Sequence, residues 1–226
     1  MNSVNYSREM DKIIAQNREQ GRIPSLLLQV CCAPCSSYCL EYLREDFDIT
    51  VLYYNPNISE KTEYDRRKAE ELRLIREYNR QVEQQDFDGM QSTGRARRIH
   101  VLDVAYDGQR YEEAVRGLES CPEGGDRCTV CFSLRLEKTA QLAVQGGYDF
   151  YTTTLTISPL KDAARLNRIG EELGERCGVR WLPSDFKKKD GYKRSIALSR
   201  KFGLYRQNYC GCKYSRAARE GEVLTS

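Results

Sequence analysis

Two short apolar runs constrain the fold more than any other feature of the chain: PSLLLQVC at 24 to 31 and ITVLYY at 49 to 54, the second stopped by Asn55-Pro56-Asn57. Runs of this length bounded by turn residues read as strands buried on both faces. Between them, Ser36 to Glu45 has room for a helix. After them, 59 to 83 places apolar groups at helical intervals through a heavily charged surface, with Ser59 as its cap. The pattern then repeats: a strand at 100 to 105, helices at 108 to 118 and 128 to 147, a strand at 148 to 155, a helix at 162 to 176 after Ser158-Pro159, and a short apolar piece at 179 to 183. Such alternation predicts an α/β fold with a doubly wound, mostly parallel sheet and helices on both faces. No repeat, low-complexity tract or linker divides the 226 residues. A single catalytic domain over 1 to 226 is expected, with 1 to 22 as an N-terminal helical appendage and 184 to 226 as a basic C-terminal cap.

In open sheets of this kind ligands sit beyond the C-terminal ends of the strands. At that place the first strand carries Cys31-Cys32-Ala33-Pro34-Cys35-Ser36 where a nucleotide-binding chain would carry a glycine-rich phosphate loop, so kinase and ATP-pyrophosphatase chemistry are set aside. The chain has ten cysteines and one histidine, His100. A Ser-His-Asp triad or a His-rich zinc site would depend on that one imidazole, which begins an apolar strand and reads as structural, so sulfur must carry the chemistry. The start of the chain is polar with no apolar signal core, and no apolar run approaches the roughly 20 residues of a membrane span, so a cytoplasmic location and reduced thiols are expected.

Two cysteine groups stand out, Cys31-Cys32-x-x-Cys35 and Cys128-x-x-Cys131. A Cys-x-x-Cys pair opening a helix aims both sulfurs at one point, and the amides of the helix end favour thiolate. Two such pairs can make one four-thiolate site. Zinc and iron-sulfur clusters both accept four cysteines, and ordinary buried thiols are a third reading. Placement at a strand end, inside a core that needs no metal staple, favours the cluster. The third group is Cys210-Gly211-Cys212. A disulfide there would close a tight, easily reduced ring, and the alternative is two more ligands or inert thiols. Cys39, Cys121 and Cys177 have no partner at useful spacing and are expected to be core or surface thiols.

QVCCAPCSSY at 29 to 38, YYNPNI at 53 to 58, GGDRCTVCFSLRL at 124 to 136, TTTLTISPLKD at 152 to 162 and the stretch from 184 to 215 containing NYCGCKYS resemble, in order, the cobalamin-independent epoxyqueuosine reductases of the QueH family. On that resemblance the sheet is of the Rossmann-like or HUP-like kind. It implies an oxidoreductase of queuosine biosynthesis that removes the epoxide oxygen from the modified wobble nucleoside of tRNA. It also implies a 4Fe-4S cluster on Cys31, Cys32, Cys128 and Cys131, a redox-active disulfide at Cys210 and Cys212, a second, mononuclear iron near Cys35, and an external electron donor. Asp126, two residues before Cys128, is a candidate ligand or proton donor beside its plainer reading as a helix-start carboxylate. Many members carry a histidine just before the double cysteine, where this chain has Gln29 and Val30.

The net charge is only +3, so a nucleic-acid footprint must be local. Lys187, Lys188, Lys189, Lys193, Arg194, Arg200, Lys201 and Arg206 put eight positive residues within twenty positions, interleaved with Phe186, Tyr192, Phe202 and Tyr205. Cations can hold phosphates and rings can stack on splayed bases, although the same spacing describes a solvated helix face. Lys187, Lys188, Lys189, Lys193, Arg194 and Arg206 are the expected tRNA contacts. Asn55, Asn57, Ser158, Lys161 and Asp162 follow strand ends and are expected to line the same region. The rivals are another cluster-dependent tRNA-modifying enzyme such as a sulfur-transferase, which would need ATP and its phosphate loop, and a zinc-stapled RNA-binding protein without turnover.

Overall fold

The computed structural model describes residues 4 to 221. The two apolar runs form β1 (Ser25–Gln29) and β2 (Asp48–Leu52), joined by β3 (His100–Leu102), β4 (Phe150–Thr153) and β5 (Arg180–Trp181) in one five-stranded sheet. The order is β3-β2-β1-β4-β5 and every pair is parallel. The helices are α1 (Tyr6–Glu19), α2 (Ala33–Leu43), α3 (Lys61–Gln84), α4 (Gly108–Ala114), α5 (Asp126–Gln145), α6 (Ala163–Cys177), α7 (Gly191–Lys201) and α8 (Lys213–Glu220).

Alternation along β1 shows why the strand reads as apolar throughout. Leu26 and Leu28 join Met10 and Ile14 of α1, Leu40 of α2, Leu74 of α3 and Leu198 of α7 in one core. Leu27 joins Phe132 and Leu136 of α5 with Leu166 and Ile169 of α6 in the other. Helices on both faces of an all-parallel sheet make the fold doubly wound and Rossmann-like, as the alternation predicts. The chain winds outward from β1 to β2 and β3 in one direction and from β4 to β5 in the other, so the switch point falls between β1 and β4, paired through Gln29 and Thr153.

Local differences from the sequence expectation have local causes. β1 stops at Gln29 because α2 already begins at Ala33, with Pro34 in its first turn and Cys32 as its N-cap. β4 stops at Thr153, whose hydroxyl accepts from Leu155 N and starts a 3-10 turn over Thr154–Ile157. α5 starts at Asp126, two residues before Cys128, and α6 is capped by Asp162, which accepts from Arg165 N at 3.0 Å, not by Ser158. Ser59 does not cap α3; its hydroxyl accepts from Lys213 N at 3.0 Å. The segment after 184 enters the main core through Phe186, Leu198 and Leu204. No helix among the described residues is long and apolar enough to cross a membrane.

β5 is only two residues long, so its position depends on packing. Trp181 Nε1 donates to Asn167 Oδ1 at 2.9 Å, and the Trp181 and Tyr151 rings meet edge to face at 5.0 Å. Gly170 of α6 lies directly against the indole, where a Cβ would come within 2.3 Å of a ring carbon. Gly170→Ala is therefore expected to lower stability by about 1 to 3 kcal/mol despite the higher helix propensity of alanine. Urea denaturation of the two proteins checks this; an equal or higher midpoint for the variant contradicts it.

Candidate functional site

The strand ends around the switch point are lashed together by buried amides. Gln29 Nε2 donates to Val30 O at 2.9 Å and Tyr54 O at 3.0 Å, while its Oε1 accepts from Thr153 Oγ1 at 2.6 Å. Asn55 Nδ2 donates to Val30 O at 2.9 Å, and Arg135 Nη2 of α5 donates to Asn55 Oδ1 at 2.5 Å. β1, β2, β4 and α5 thus leave this point in fixed directions. The chain emerging from β1 places Cys31, whose N–H donates to Thr154 Oγ1 at 3.3 Å, then Cys32 at the N-cap of α2 and Cys35 in its first turn. The sulfurs of Cys31, Cys32 and Cys35 lie within 4.8 Å of one another, Cys31 and Cys32 at 3.9 Å.

A second sulfur pair faces them. Cys210 and Cys212 are free, with sulfurs 3.5 Å apart. Gly211 has φ +120°, and a Cβ there would meet Ile58 Cγ1 at 2.7 Å, so only glycine lets the turn lie so close to the segment before α3. Asn57 Nδ2 donates to Cys210 O at 3.3 Å, and Cys212 Sγ accepts from Ser215 N at 3.3 Å as the cap of α8. Cys31, Cys32, Cys35 and Cys210 share the wall of one cavity of about 360 Å³ with Arg67, Arg135, Lys161, Arg206, Arg219, Tyr192 and Tyr209.

Charge follows this arrangement. Thiol hydrogen bonds from Cys32 and Cys35 hold Cys31 well below the ordinary thiol value against its burial, with Arg135 and Lys161 adding to the effect. The same contacts push Cys32 up to about 12 and raise Cys35. Cys210 is held well below the ordinary value by the Cys212 thiol and then by Lys161, and Cys212 is raised in turn. Burial pushes Cys131 up to about 11, against the pull of Arg135. A pair in which one thiol is ionised and its neighbour holds the proton is the arrangement of a reactive dithiol.

The group of sulfurs within 4.8 Å is Cys31, Cys32 and Cys35; Cys128 and Cys131 are not part of it. Cys128 accepts from Gly124 N at 3.2 Å, and Cys131 packs with Cys212, Tyr111 and Tyr214 in a small separate cluster. Arg135, one turn on from Cys131, presents its guanidinium to both Cys131 and Cys31. Asp126 is exposed at the first position of α5, where a carboxylate suits the helix end, and it does not line the cavity. Lys187 pairs with Asp185 at 2.8 Å, Lys189 with Asp11 at 2.6 Å, and Arg194 with the fully buried Glu41 at 2.7 Å. Lys188 and Lys193 are exposed, and Arg206 alone of this set lines the cavity. Ser158 and Lys161 line it as well. His100 is exposed, 3.7 Å from Asp48. Cys39 is buried and donates to Cys35 O at 3.3 Å, while Cys121 and Cys177 are half-buried. Arg67, Arg135 and Gln207 were not singled out by the sequence pattern, yet each lines this cavity and has a buried polar atom without a partner: Nη2, Nε and Oε1.

Fold and site together define a Rossmann-like protein whose ligand crevice is built from thiols and buried cations, a donor set suited to redox or thiophilic-metal chemistry and not to phosphoryl transfer. Comparison with known families narrows the class. The family model for epoxyqueuosine reductase QueH matches residues 26–218, and the chain belongs to that family. It is 42% identical to the epoxyqueuosine reductase QueH of Streptococcus pyogenes serotype M1 over 94% of this chain and 78% of the relative. It is 37% identical to that of Staphylococcus epidermidis over 94% and 84%, and 32% identical to that of Thermotoga maritima over 84% and 90%.

One buried acid stands behind the thiols. Glu71 of α3 is 1% exposed; Ser36 Oγ donates to its Oε2 at 2.8 Å, and its Oε1 has no partner. Burial pushes this carboxyl up to about 8, with Cys31 and Glu70 adding and Ser36 opposing. An unfolded glutamate titrates near 4.3, so between the two values the folded protein keeps a proton that the unfolded chain gives up. The sign is that stability is full below about pH 4.3 and falls as pH rises toward 8, by up to about 1.4 kcal/mol per unit for this one group. Glu71→Gln keeps an acceptor for Ser36 and removes the titration. It is expected to flatten the pH dependence over this window and to raise the urea midpoint at pH 8; an unchanged slope contradicts it.

Proposed function

We propose that the protein reduces epoxyqueuosine to queuosine at the wobble position of tRNA, acting as one catalytic unit in the cytoplasm. The observation that supports this best is the pairing of a free dithiol, Cys210 and Cys212, with a three-thiol group on the wall of one cation-lined cavity. Cys31, Cys32 and Cys35 at the start of α2 fit a thiophilic metal: their donors are soft, and Arg135 and Lys161 offset the negative charge. A four-thiolate cluster would draw Cys128 and Cys131, which lie outside the three-thiol group, in with Cys31 and Cys32 and leave Cys35 for the second iron. When bound, the 4Fe-4S centre supplies electrons one at a time and the second iron polarises an oxygen.

The protein groups supply the rest. Two electrons and two protons are needed to turn the epoxide into an alkene and water. The thiolate–thiol pair provides both electrons and one proton as it closes to a disulfide, and solvent supplies the second proton, so the sum is epoxide plus thiolate–thiol plus one proton to alkene plus water plus disulfide, with the external donor restoring the dithiol. Cys210 is the thiolate of the pair and Cys212 holds a proton. Tyr192 and Tyr209 can stack on the splayed base, and Arg206 and Arg219 at the cavity can take the flanking phosphates. On this reading Asp126 acts as a helix-start charge.

Cys210→Ser is expected to abolish release of queuosine from epoxyqueuosine-bearing tRNA while leaving iron content and tRNA affinity as in the parent protein. Full turnover in that variant contradicts the dithiol role, and a colourless protein with stoichiometric zinc after anaerobic purification supports the binding-protein rival instead. Arg206→Ala with Arg219→Ala is expected to weaken tRNA binding and to lower the slope of log affinity against log salt by about 1 per lost phosphate contact, with no loss of iron. An unchanged slope places the phosphates elsewhere.

A further inference from the structure

Arg67 of α3 has a side chain only 1% exposed and two of its three guanidinium nitrogens already committed. Nε donates to Glu63 Oε1 at 2.7 Å, and Nη1 donates to Cys210 O at 3.2 Å. The Tyr205 hydroxyl holds Glu63 at 3.2 Å, and the Tyr209 ring lies 4.9 Å from the guanidinium carbon. Nη2 is buried, has no partner, and belongs to a residue that lines the thiol cavity. The dithiol turn presses on the same group, since a Cβ at Gly211 would approach Nη1 to 3.2 Å. A guanidinium is planar and rigid, so fixing Nε and Nη1 fixes the direction of Nη2. A buried donor on a cation costs stability when it has no acceptor. Arg67 lines the cavity, so an oxygen atom of a bound molecule can supply that acceptor.

We infer that Arg67 is a catalytic residue of the reductase: Nη2 donates to the epoxide oxygen of the nucleoside while Nη1 holds the Cys210 carbonyl, so that one rigid group sets the leaving oxygen against the dithiol. The inference rests on the reading proposed above. An oxygen atom fits better than a phosphate because Arg67 is buried beside the dithiol, whereas the exposed Arg206 and Arg219 line the same cavity nearer solvent. Arginine keeps its charge and is not the proton source. Its part is electrostatic: negative charge gathers on the oxygen as the carbon–oxygen bond breaks, and a fixed donor stabilises that state more than the intact epoxide. Electrons, protons and water follow the balance already given.

The test compares Arg67→Lys, Arg67→Met and Cys210→Ser as iron-loaded enzymes on tRNA bearing epoxyqueuosine. Loss of an oxyanion donor is expected to lower kcat by about 100-fold in Arg67→Met and by less in Arg67→Lys, with KM for tRNA changed less than about threefold and iron retained. A second readout needs no turnover: the fraction of Cys210 and Cys212 in disulfide form at a fixed ratio of reduced to oxidised glutathione, read by alkylation and mass spectrometry. Release of the Cys210 carbonyl in Arg67→Met is expected to move that ratio at least about threefold, the equivalent of one hydrogen bond. Parental kcat in both variants, or a raised KM with kcat unchanged, overturns the inference; so does an unmoved dithiol ratio. If Arg67→Met fails to fold, the split between kcat and KM in Arg67→Lys decides. Full turnover by Cys210→Ser would instead sink the dithiol reading on which the inference stands.

Discussion

Positive charge buried among sulfur atoms is the constraint on which the site depends. Arg67 and Arg135 are 2% and 3% exposed, and each keeps a buried nitrogen without a partner. Lys161 joins them at the cavity wall. Burial alone would pull the Lys161 ammonium down, yet the fields of Cys210, Cys31 and Cys35 outweigh it and hold the group above its ordinary value. The relation is mutual, because Lys161 helps keep Cys31 and Cys210 ionised. Uncompensated, a buried cation such as Arg67 or Arg135 costs several kcal/mol. The thiolates are therefore part of what makes the arrangement stable as well as what makes it reactive, and a metal held by them would be felt by the fold.

The sheet supplies the geometry that brings these charges together. At the switch point, β1 and β4 end side by side and their following segments diverge to opposite faces, leaving a crevice at the strand ends. Gln29 closes the floor of that crevice by bonding the ends of β1, β2 and β4 at once. The Gln29 amide both donates and accepts, which suits a three-strand tie. Above the floor, α2 and α5 bring one cysteine group each, and the chain after α7 returns with the third. α7 packs against α2, so the segment that carries Cys210 is anchored to the helix that begins at Cys32 and Cys35.

Legibility in the sequence followed the physics of each segment. β1 and β2 were plain because strands buried on both faces are apolar at every position, and α3 and α6 were plain because their apolar spacing is helical. β5, with two residues, and the 3-10 turn after β4 have too little sequence to leave a period. The cysteine groups were visible as spacing, and so was the placement of the first at the end of β1. That Cys35 would join Cys31 and Cys32 was visible in the spacing; that Cys131 turned toward Cys210 and Cys212 was not, since it depends on the angle at which α5 meets the sheet. Arg67 and Glu71 were hidden for a different reason. In SEKTEYDRRKAEELRLIREYNRQVE they look like any charges on a solvated helix, and only tertiary packing shows them buried, Arg67 against the Cys210 turn and Glu71 against Ser36 of α2.

The basic stretch shows the converse case, in which conspicuous charge is already committed. Lys187, Lys189 and Arg194 each have a carboxylate of their own, and for Arg194 that carboxylate is the buried Glu41 on α2. Breaking such a pair to hold a phosphate would leave Glu41 buried and unpaired, at a cost of about 3 to 5 kcal/mol that a phosphate contact does not repay. Arg194 is thus better explained as the fastening between α7 and α2. The cations with freedom to meet a phosphate at the cavity are Arg206 and Arg219, one on each side of Cys210 and Cys212 in the chain. A nucleic acid gripped through them would be held by the same short segment that carries the dithiol, so the grip on the backbone and the placement of the reductant are set by one piece of structure.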